Sequence, residues 1–205
     1  MRELKFRMPR NLPRNLPRNL PNYVTWCRIL MIPLIVGVFY LPESWLQAEN
    51  KNIAATGIFI VAAITDWLDG YLARVLDQMS AFGAFLDPVA DKLIIAGALV
   101  VLLHLDRVDP LVALIIIGRE IAISALREWM AQMGQGKSVA VAFIGKLKTV
   151  GQMIAIPLLL FHDDLFGLFN CQWLGTILIN VAAVLTVISM LYYLRKAGIS
   201  TDGTV

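Results

Sequence analysis

Six long apolar runs, separated by short polar connections, limit the fold of this chain more than any other feature. Each run has at least about the 20 residues that a helix needs to cross the hydrocarbon core of a membrane, which is roughly 30 Å thick. Charged residues make up only 16% of the chain, whereas soluble domains carry about 25%. The sequence therefore predicts an all-α membrane protein, a bundle of six transmembrane helices. The runs cover residues 23–41, 52–76, 82–105, 110–133, 139–161 and 171–194.

The two ends of the chain differ from this apolar region. Residues 1–22 are basic and rich in proline, and the unit Pro-Arg-Asn-Leu occurs three times between Pro9 and Leu20. Proline at every fourth position forbids a regular helix, so we expect an extended tail. Its arginines could lie on an anionic lipid surface, or the repeat could have no function. We divide the chain into this tail (1–22), a transmembrane domain (23–195) and a polar C-terminal tail (196–205).

The charges of the connections predict how the bundle lies in the membrane. Three connections hold six acidic residues against two basic ones, while the other connections and both ends carry most of the lysines and arginines. Basic residues collect on the cytoplasmic side of membrane proteins. We therefore expect a multi-pass protein of the cell (inner) membrane with both termini in the cytoplasm. The acidic connections are residues 42–51, 104–109 and 162–170.

Four carboxylates lie inside the second and third apolar runs, close to the predicted cytoplasmic face. Their spacings of three and four residues place each pair on one face of a helix, and a turn between the runs would bring the pairs face to face. Ionised groups at membrane depth are costly and usually functional. Oxygen ligands without histidine or cysteine suit Mg²⁺ or Mn²⁺, one ion or two. The four residues are Asp66, Asp69, Asp87 and Asp91.

These residues suit phosphoryl chemistry, although ion pairing within the membrane and the ion path of a cation transporter stay open on the carboxylates alone. Cations held by shared carboxylates can clamp a diphosphate, and a carboxylate less committed to metal could accept the proton of an attacking hydroxyl. Gly70, Gly83 and the small Ala73 would let a nucleotide approach the backbone closely. Arg74 could pair with phosphate oxygens.

The stretch from Asp66 to Asp91 reads D-x2-D-G-x2-A-R-x8-G-x3-D-x3-D. This pattern resembles the signature of the CDP-alcohol phosphotransferases, which implies their six-helix bundle and the transfer of a substituted phosphate from a CDP-linked donor to an alcohol. The resemblance implies that the four aspartates together bind two metal ions and that Asp91 is also the catalytic base. It further implies that the CDP end of the donor is bound by Asp69, Gly70, Ala73, Arg74 and Gly83.

The first apolar run is expected to be retained as a span, because it is too long for the apolar core of a signal peptide and no small-residue cleavage site follows it. Arg28 then lies low in this span, near the side of the N-terminus. Residues 19–22, followed by Thr25 and Arg28, resemble the way in which members of the same family begin.

A group of basic residues further along predicts a phosphorylated acceptor. Arg119 lies near the middle of the fourth run, and Arg127 lies about 12 Å nearer the cytoplasm along a helix. Arg127 and the lysines, taken singly, are explained by membrane topology, but a buried Arg119 needs a partner: Glu120, a motif aspartate or a substrate anion. We expect the acceptor phosphate to be bound by Arg119, Arg127, Lys146 and Lys148.

Two segments, residues 119–129 and 138–149, resemble members of the family that use sn-glycerol 3-phosphate as the acceptor. This resemblance implies that CDP-diacylglycerol is the donor and that CMP is released. The alternatives are a member of the family that uses an inositol phosphate or phosphatidylglycerol as the acceptor, and, from another class, a cation transporter. The oligomeric state stays open, a homodimer included, and we expect no nucleic-acid partner.

Overall fold

A computed structural model of the chain describes residues 20–76, 81–132, 143–165 and 169–201. The described part is mostly helical, and its six helices contain 19 to 31 residues. At 1.5 Å per residue these helices are about 28 to 46 Å long, close to or above the thickness of a hydrocarbon core. The helices are α1 (Leu20–Tyr40), α2 (Ala48–Leu76), α3 (Ala81–His104), α4 (Pro110–Gln132), α5 (Phe143–Phe161) and α6 (Cys171–Thr201).

The helices follow the six predicted runs, with differences at both ends of the chain. Helix α1 begins at Leu20, inside the predicted tail, because Pro21 occupies the first turn, where its missing N–H would have no helical partner. Helix α6 continues to Thr201 rather than ending at residue 195, since no proline interrupts it. The Pro-Arg-Asn-Leu repeat before residue 20 lies outside the described residues.

One described helix, α6, is long and apolar enough over Cys171–Tyr192 to cross a membrane by length and composition alone. Two further apolar segments, Val24–Tyr40 and Leu147–Phe161, are shorter. Helices α2, α3 and α4 contain charged residues, which lower the mean hydropathy of these helices. The prediction of six helices is thus confirmed for the described chain, but the count of six membrane spans is not.

Helix α1 connects two helices that scarcely meet each other. It packs closely against both α2 and α3, whereas the contact between α2 and α3 is small. The most extensive interface joins α5 to α6, and α6 also contacts α4. All six helices contribute to one apolar core, whose members include Ile35, Phe59, Leu99, Ile116, Leu159 and Ile179.

The outward faces of the helices are apolar as well. Large hydrophobic side chains are exposed on every helix, whereas a soluble monomer rarely shows so much contiguous apolar surface. Buried polar side chains inside and exposed apolar side chains outside are typical of helices that face lipid. Examples of exposed residues, one from each helix, are Leu34, Ile64, Leu93, Leu114, Ile154 and Val184.

Arg107, in the connection between α3 and α4, binds to two further helices, α2 and α5, at their predicted outer ends. Its guanidinium group donates to the carbonyl oxygens of Leu159 (3.1 Å) and Leu160 (2.8 Å) and to Oδ1 of Asn52 (2.9 Å). Carbonyls in the last turn of a helix have no partner within it, so Arg107 caps α5. Burial lowers the pKa of Arg107, and the charge of Asp163 opposes that shift.

The last connection contains a short hairpin that the sequence did not predict. Strand β1 (Asp164–Leu165) pairs antiparallel with β2 (Phe169–Asn170), and Asp164 lies opposite Asn170. Asn170 Oδ1 accepts a hydrogen bond from the backbone N–H of Trp173 at 2.7 Å, which caps the first turn of α6. The hairpin therefore fixes the start of this helix.

Candidate active site

Helix α1 brings aspartates of α2 and α3 together. Nη1 of Arg28 lies 3.0 Å from Oδ1 of Asp66 on α2 and donates to Oδ1 of Asp91 on α3 at 2.7 Å. The hydroxyl of Thr25 donates to Oδ1 of Asp87 at 2.6 Å. Three of the four predicted metal-binding aspartates are therefore arranged around one helix.

The spacing on each helix explains this arrangement. Thr25 and Arg28 are three residues apart on α1, and Asp87 and Asp91 are four apart on α3, so each pair lies on one helical face. The two faces meet, and α2 adds Asp66, which contacts the same nitrogen atom of Arg28 as Asp91 does. Arg28 is fully buried, which allows its single guanidinium group to contact carboxylates of both neighbouring helices.

The chemistry of these side chains fits a hard divalent cation. Arg28 brings one guanidinium group to the carboxylates of Asp66 and Asp91, which are oxygen ligands of the kind that such a cation prefers. The convergence of Asp66 and Asp91 on one nitrogen atom shows that the two carboxylates can share a cation. Among the described side chains, however, no three acidic, histidine or cysteine residues are grouped closely enough to hold a metal ion by themselves.

The remaining residues predicted to bind metal or CDP lie on the same two helices. Gly83 is buried in the first turn of α3. The backbone of α2 includes four others, but their side-chain environments are outside the part of the structure that is described. These four are Asp69, Gly70, Ala73 and Arg74.

Two of the residues predicted to bind the acceptor phosphate converge on Glu120. Arg119 is only 6% exposed, and its Nη1 lies 3.3 Å from Oε1 of Glu120. Lys148, 3% exposed on α5, donates to the same oxygen. A second bond joins Arg119 Nη2 to the hydroxyl of Ser189 on α6 at 3.2 Å. Glu120, one of the three partners considered for Arg119, is therefore a partner in the structure.

The other two predicted acceptor residues are Arg127 and Lys146. Arg127, two turns further along α4, is exposed. Lys146 is on α5, but its side chain lies outside the described ones. The structure therefore supports a buried pair, Arg119 and Lys148, with Arg127 nearer the surface.

A cavity of about 220 Å³ connects the aspartates to the basic group. Asp66 and Asp91 contribute to its wall, and so does Glu120, the partner of Arg119 and Lys148. Carboxylates of two helices and the carboxylate that holds two buried cations thus face one space. Its other wall residues are Pro88, Lys92, Ile95, Thr149, Gln152 and Met153.

The sequence alone assigns no role to several residues of this region. For Thr25 and Arg28 it offers only a resemblance to the beginning of family members, and it gives no reason to single out Ser189 or Gln152. The spacing of Thr25 and Arg28 is nevertheless a usable signal, because it places both on one face of α1. The spacing of Lys148 and Gln152, one turn apart on α5, is another.

Comparison with known proteins supports what the geometry indicates. Residues 18–188 match the family model described as CDP-alcohol phosphatidyltransferase. The match covers most of the chain, so the chain belongs to this family, as the aspartate pattern predicted.

Relatives in the family carry a more specific name. Proteins of Shigella flexneri serotype 5b (strain 8401), Shigella boydii serotype 4 (strain Sb227) and Escherichia coli (strain K12) are each 49% identical to the chain over 177 residues. The similarity covers 85% of this chain and 92% of each relative. All three are described as CDP-diacylglycerol–glycerol-3-phosphate 3-phosphatidyltransferase.

Proposed function

We propose that the chain transfers the phosphatidyl group of CDP-diacylglycerol to the 1-hydroxyl of sn-glycerol 3-phosphate and releases CMP. The observation that carries this proposal is the cavity shared by Asp66, Asp91 and Glu120, because it joins a carboxylate site to a buried basic group. The names of relatives that are similar over 85% of the chain support the same donor and acceptor.

The aspartates are proposed to supply both metal binding and the base. The family is generally dependent on divalent metals, and Asp66, Asp69, Asp87 and Asp91 would hold one or two ions of Mg²⁺ or Mn²⁺. When bound, such ions polarise the phosphorus and neutralise the leaving phosphate. Asp91 accepts the proton of the acceptor hydroxyl, whose oxygen forms a bond to the β-phosphorus while the bond from that phosphorus to the CMP oxygen breaks.

The donor's nucleotide is proposed to lie against the adjacent turns of α2 and α3. Asp69, Gly70, Ala73, Arg74 and Gly83 are assigned to the CDP group. Gly83 is buried at the start of α3, where a side chain would compete for space with a ligand.

The acceptor phosphate is proposed to bind to the basic group. Arg119 and Lys148 place two buried cations beside the carboxylate of Glu120, and such a group attracts an incoming anion. A phosphate would add charge-assisted hydrogen bonds to this group. Arg127 and Lys146 would attract the phosphate nearer the membrane surface.

Two apolar cavities beside the polar one support an amphiphilic donor. They measure about 300 and 570 Å³, run along α2 and α5, and share Met153 with the polar cavity. From Asp66 to Ile53, at the far end of the larger cavity, α2 rises about 20 Å. An acyl chain can therefore stay in apolar surroundings while the diphosphate reaches the aspartates.

We also propose six membrane spans in the inner membrane, with both termini and the site facing the cytoplasm. Exposed aromatic side chains near both ends of the bundle support the membrane spans, because such rings favour the two membrane–water interfaces, whereas the orientation is proposed from the loop charges. At the proposed outer end these are Tyr40, Trp45 and Trp173, and at the cytoplasmic end Trp26, Trp129 and Tyr192.

An acceptor screen tests the proposed function. Purified protein would be given CDP-diacylglycerol in mixed micelles with Mg²⁺ or Mn²⁺, and CMP release measured with glycerol 3-phosphate, inositol 1-phosphate, phosphatidylglycerol or no acceptor. We expect release with glycerol 3-phosphate alone. Release with another acceptor would assign the chain to a different reaction of the family. No release with any acceptor, together with cation flux in liposomes, would indicate a transporter.

A further inference from the structure

Gln152 on α5 has a buried side-chain amide whose two polar atoms meet no hydrogen-bond partner in the part of the chain that the structure describes. Its side chain is 1% exposed, and neither Nε2 nor Oε1 has a partner among the described residues. Buried polar groups in folded proteins are almost always hydrogen-bonded, so a side chain with neither amide atom bonded needs an explanation. A ligand that the cavity receives would provide one.

The position of Gln152 points to the same ligand as the active site. Gln152 contributes to the wall of the 220 Å³ cavity together with Asp66, Asp91 and Glu120. It lies one helical turn after Lys148, so both side chains leave the same face of α5. Gln152 therefore shares one space with the proposed base, Asp91, and with the carboxylate that holds Arg119 and Lys148.

Glycerol 3-phosphate has three functional groups, and the proposed mechanism uses two of them. The 1-hydroxyl attacks phosphorus and gives its proton to Asp91, and the phosphate pairs with the basic group. The 2-hydroxyl lies between these groups on the carbon chain and has no assigned partner. A primary amide both donates and accepts hydrogen bonds, which matches the donor and acceptor capacity of a hydroxyl.

We propose that Gln152 binds the 2-hydroxyl of the acceptor and makes the enzyme selective for a glycerol phosphate over an acceptor that lacks this hydroxyl. This proposal rests on the proposed function. A site built to hydrogen-bond a substrate hydroxyl rejects the analogue without it, because the buried partner is then left unpaired. Gln152 is thus assigned to acceptor selectivity and to no step of bond formation or cleavage.

The test compares two acceptors that differ only in this hydroxyl, glycerol 3-phosphate and 3-hydroxypropyl phosphate. In the unmodified protein we expect kcat/KM to be roughly 10- to 100-fold higher for glycerol 3-phosphate. Gln152→Met has a side chain of similar length without the amide. We expect this variant to lose most of that preference, with a fall for glycerol 3-phosphate and a change within about threefold for the analogue.

Two controls separate recognition from folding. Gln172→Met changes an exposed glutamine on α6 and should leave the preference as it is. The KM for CDP-diacylglycerol and the melting temperature of Gln152→Met should stay close to those of the unmodified protein, since its amide makes no hydrogen bond to the described residues.

Three results would overturn the proposal. The proposal would be overturned if the unmodified protein used both acceptors equally well. This result needs no variant, so it counts even if Gln152→Met does not fold. Equal losses for both acceptors in Gln152→Met would show a structural role. In either case glycerol 3-phosphate still supports CMP release, so the proposed function stands. Absence of that release in the unmodified protein would overturn the function and this inference together.

Discussion

At the scale of single residues, Arg28 is a buried charge whose position depends on contacts with two other helices. Its side chain is fully buried, and one of its nitrogens contacts carboxylates of two different helices. A buried ion pair often adds little net stability, because desolvation offsets the attraction, but removal of one partner leaves an uncompensated charge. The main contribution of Arg28 is therefore to offset the repulsion between the carboxylates of Asp66 and Asp91.

We predict that Arg28→Met lowers the free energy of unfolding by about 1–3 kcal/mol, because the carboxylates left without this partner are 37% and 38% exposed and partly solvated. Mg²⁺ should restore part of this loss, because a divalent cation that binds the folded state neutralises the same carboxylates. Thermal unfolding in detergent, with and without Mg²⁺, measures both effects. Arg195→Met, at an exposed position of α6, is the control. An unchanged melting temperature in Arg28→Met would show that the pairing contributes nothing to stability.

Arg119→Lys tests the acceptor site. A planar guanidinium group binds a phosphate in a geometry that an ammonium group cannot reproduce. We predict a fall in kcat/KM for glycerol 3-phosphate of roughly tenfold or more, equivalent to about 1.4 kcal/mol. The KM for CDP-diacylglycerol should change much less. Arg127→Lys should have a milder effect, because Arg127 is exposed and its charge is better screened.

Steady-state kinetics with each substrate varied in turn measures these effects. A variant that loses affinity for CDP-diacylglycerol but keeps its KM for glycerol 3-phosphate would move Arg119 to the donor site. The prediction of a phosphorylated acceptor would then depend on similarity to relatives alone.

The sequence identifies some of these residues and not others for a physical reason. Carboxylates inside an apolar run are costly, so Asp66, Asp87 and Asp91 are recognisable from the sequence alone. Arg28, near the end of a run, has the same appearance as a topology signal. Gln152 has the appearance of any polar residue on a helix. Only contacts between helices distinguish these two.

At the scale of helices, the positions were predictable from sequence and the packing order was not. Apolar runs and the polar connections between them locate the helices to within a few residues. The expected hairpin of α2 and α3 agrees with their ends at Leu76 and Ala81. These two helices nevertheless contact each other little, and α1 lies against both. The sequence of an apolar helix says little about which helices will be its neighbours, because the neighbours are determined by how closely the side chains pack.

The interface of α5 and α6 depends on Gly175. A Cβ atom there would lie 2.8 Å from Cγ of Leu159 and 3.3 Å from the carbonyl oxygen of Ala155. We predict that Gly175→Ala lowers the free energy of unfolding by about 1–3 kcal/mol, as overpacking usually does. Gly37→Ala is the matched control, since a Cβ atom at that position would meet no neighbouring atom within 4 Å. Thermal unfolding compares the two, and equal melting temperatures would contradict the prediction.

At the scale of the whole molecule, the proposed orientation is set by charge. The acidic connections and the basic ones alternate along the chain, as an even number of spans requires. Among the described helices, only α6 is a candidate span by length and composition, because charged residues interrupt α2, α3 and α4. The proposed site, if it lies inside the membrane, would thus weaken the signal that identifies its own helices.

Cysteine labelling tests this orientation in cells. In a protein with Cys27→Ser and Cys171→Ala, we predict that single cysteines at Glu49, Asp106 and Asp163 react with an impermeant reagent from outside. Single cysteines at Gln78, Gln135 and Ser200 should react only after permeabilisation. The first three positions are exposed, while Gln78 and Gln135 lie outside the described residues. Labelling of Gln135 from outside would contradict the six-span arrangement with a cytoplasmic site.

The most direct test of the central claim is the stoichiometry of the two products. Purified protein would receive CDP-diacylglycerol, labelled glycerol 3-phosphate and Mg²⁺ or Mn²⁺, with CMP and labelled lipid measured together. We predict one CMP for each labelled phosphatidylglycerol phosphate, and neither product when the acceptor or the metal is left out or when Asp91 is replaced in Asp91→Asn. CMP release without the acceptor, or without label in the lipid, would contradict the transfer reaction.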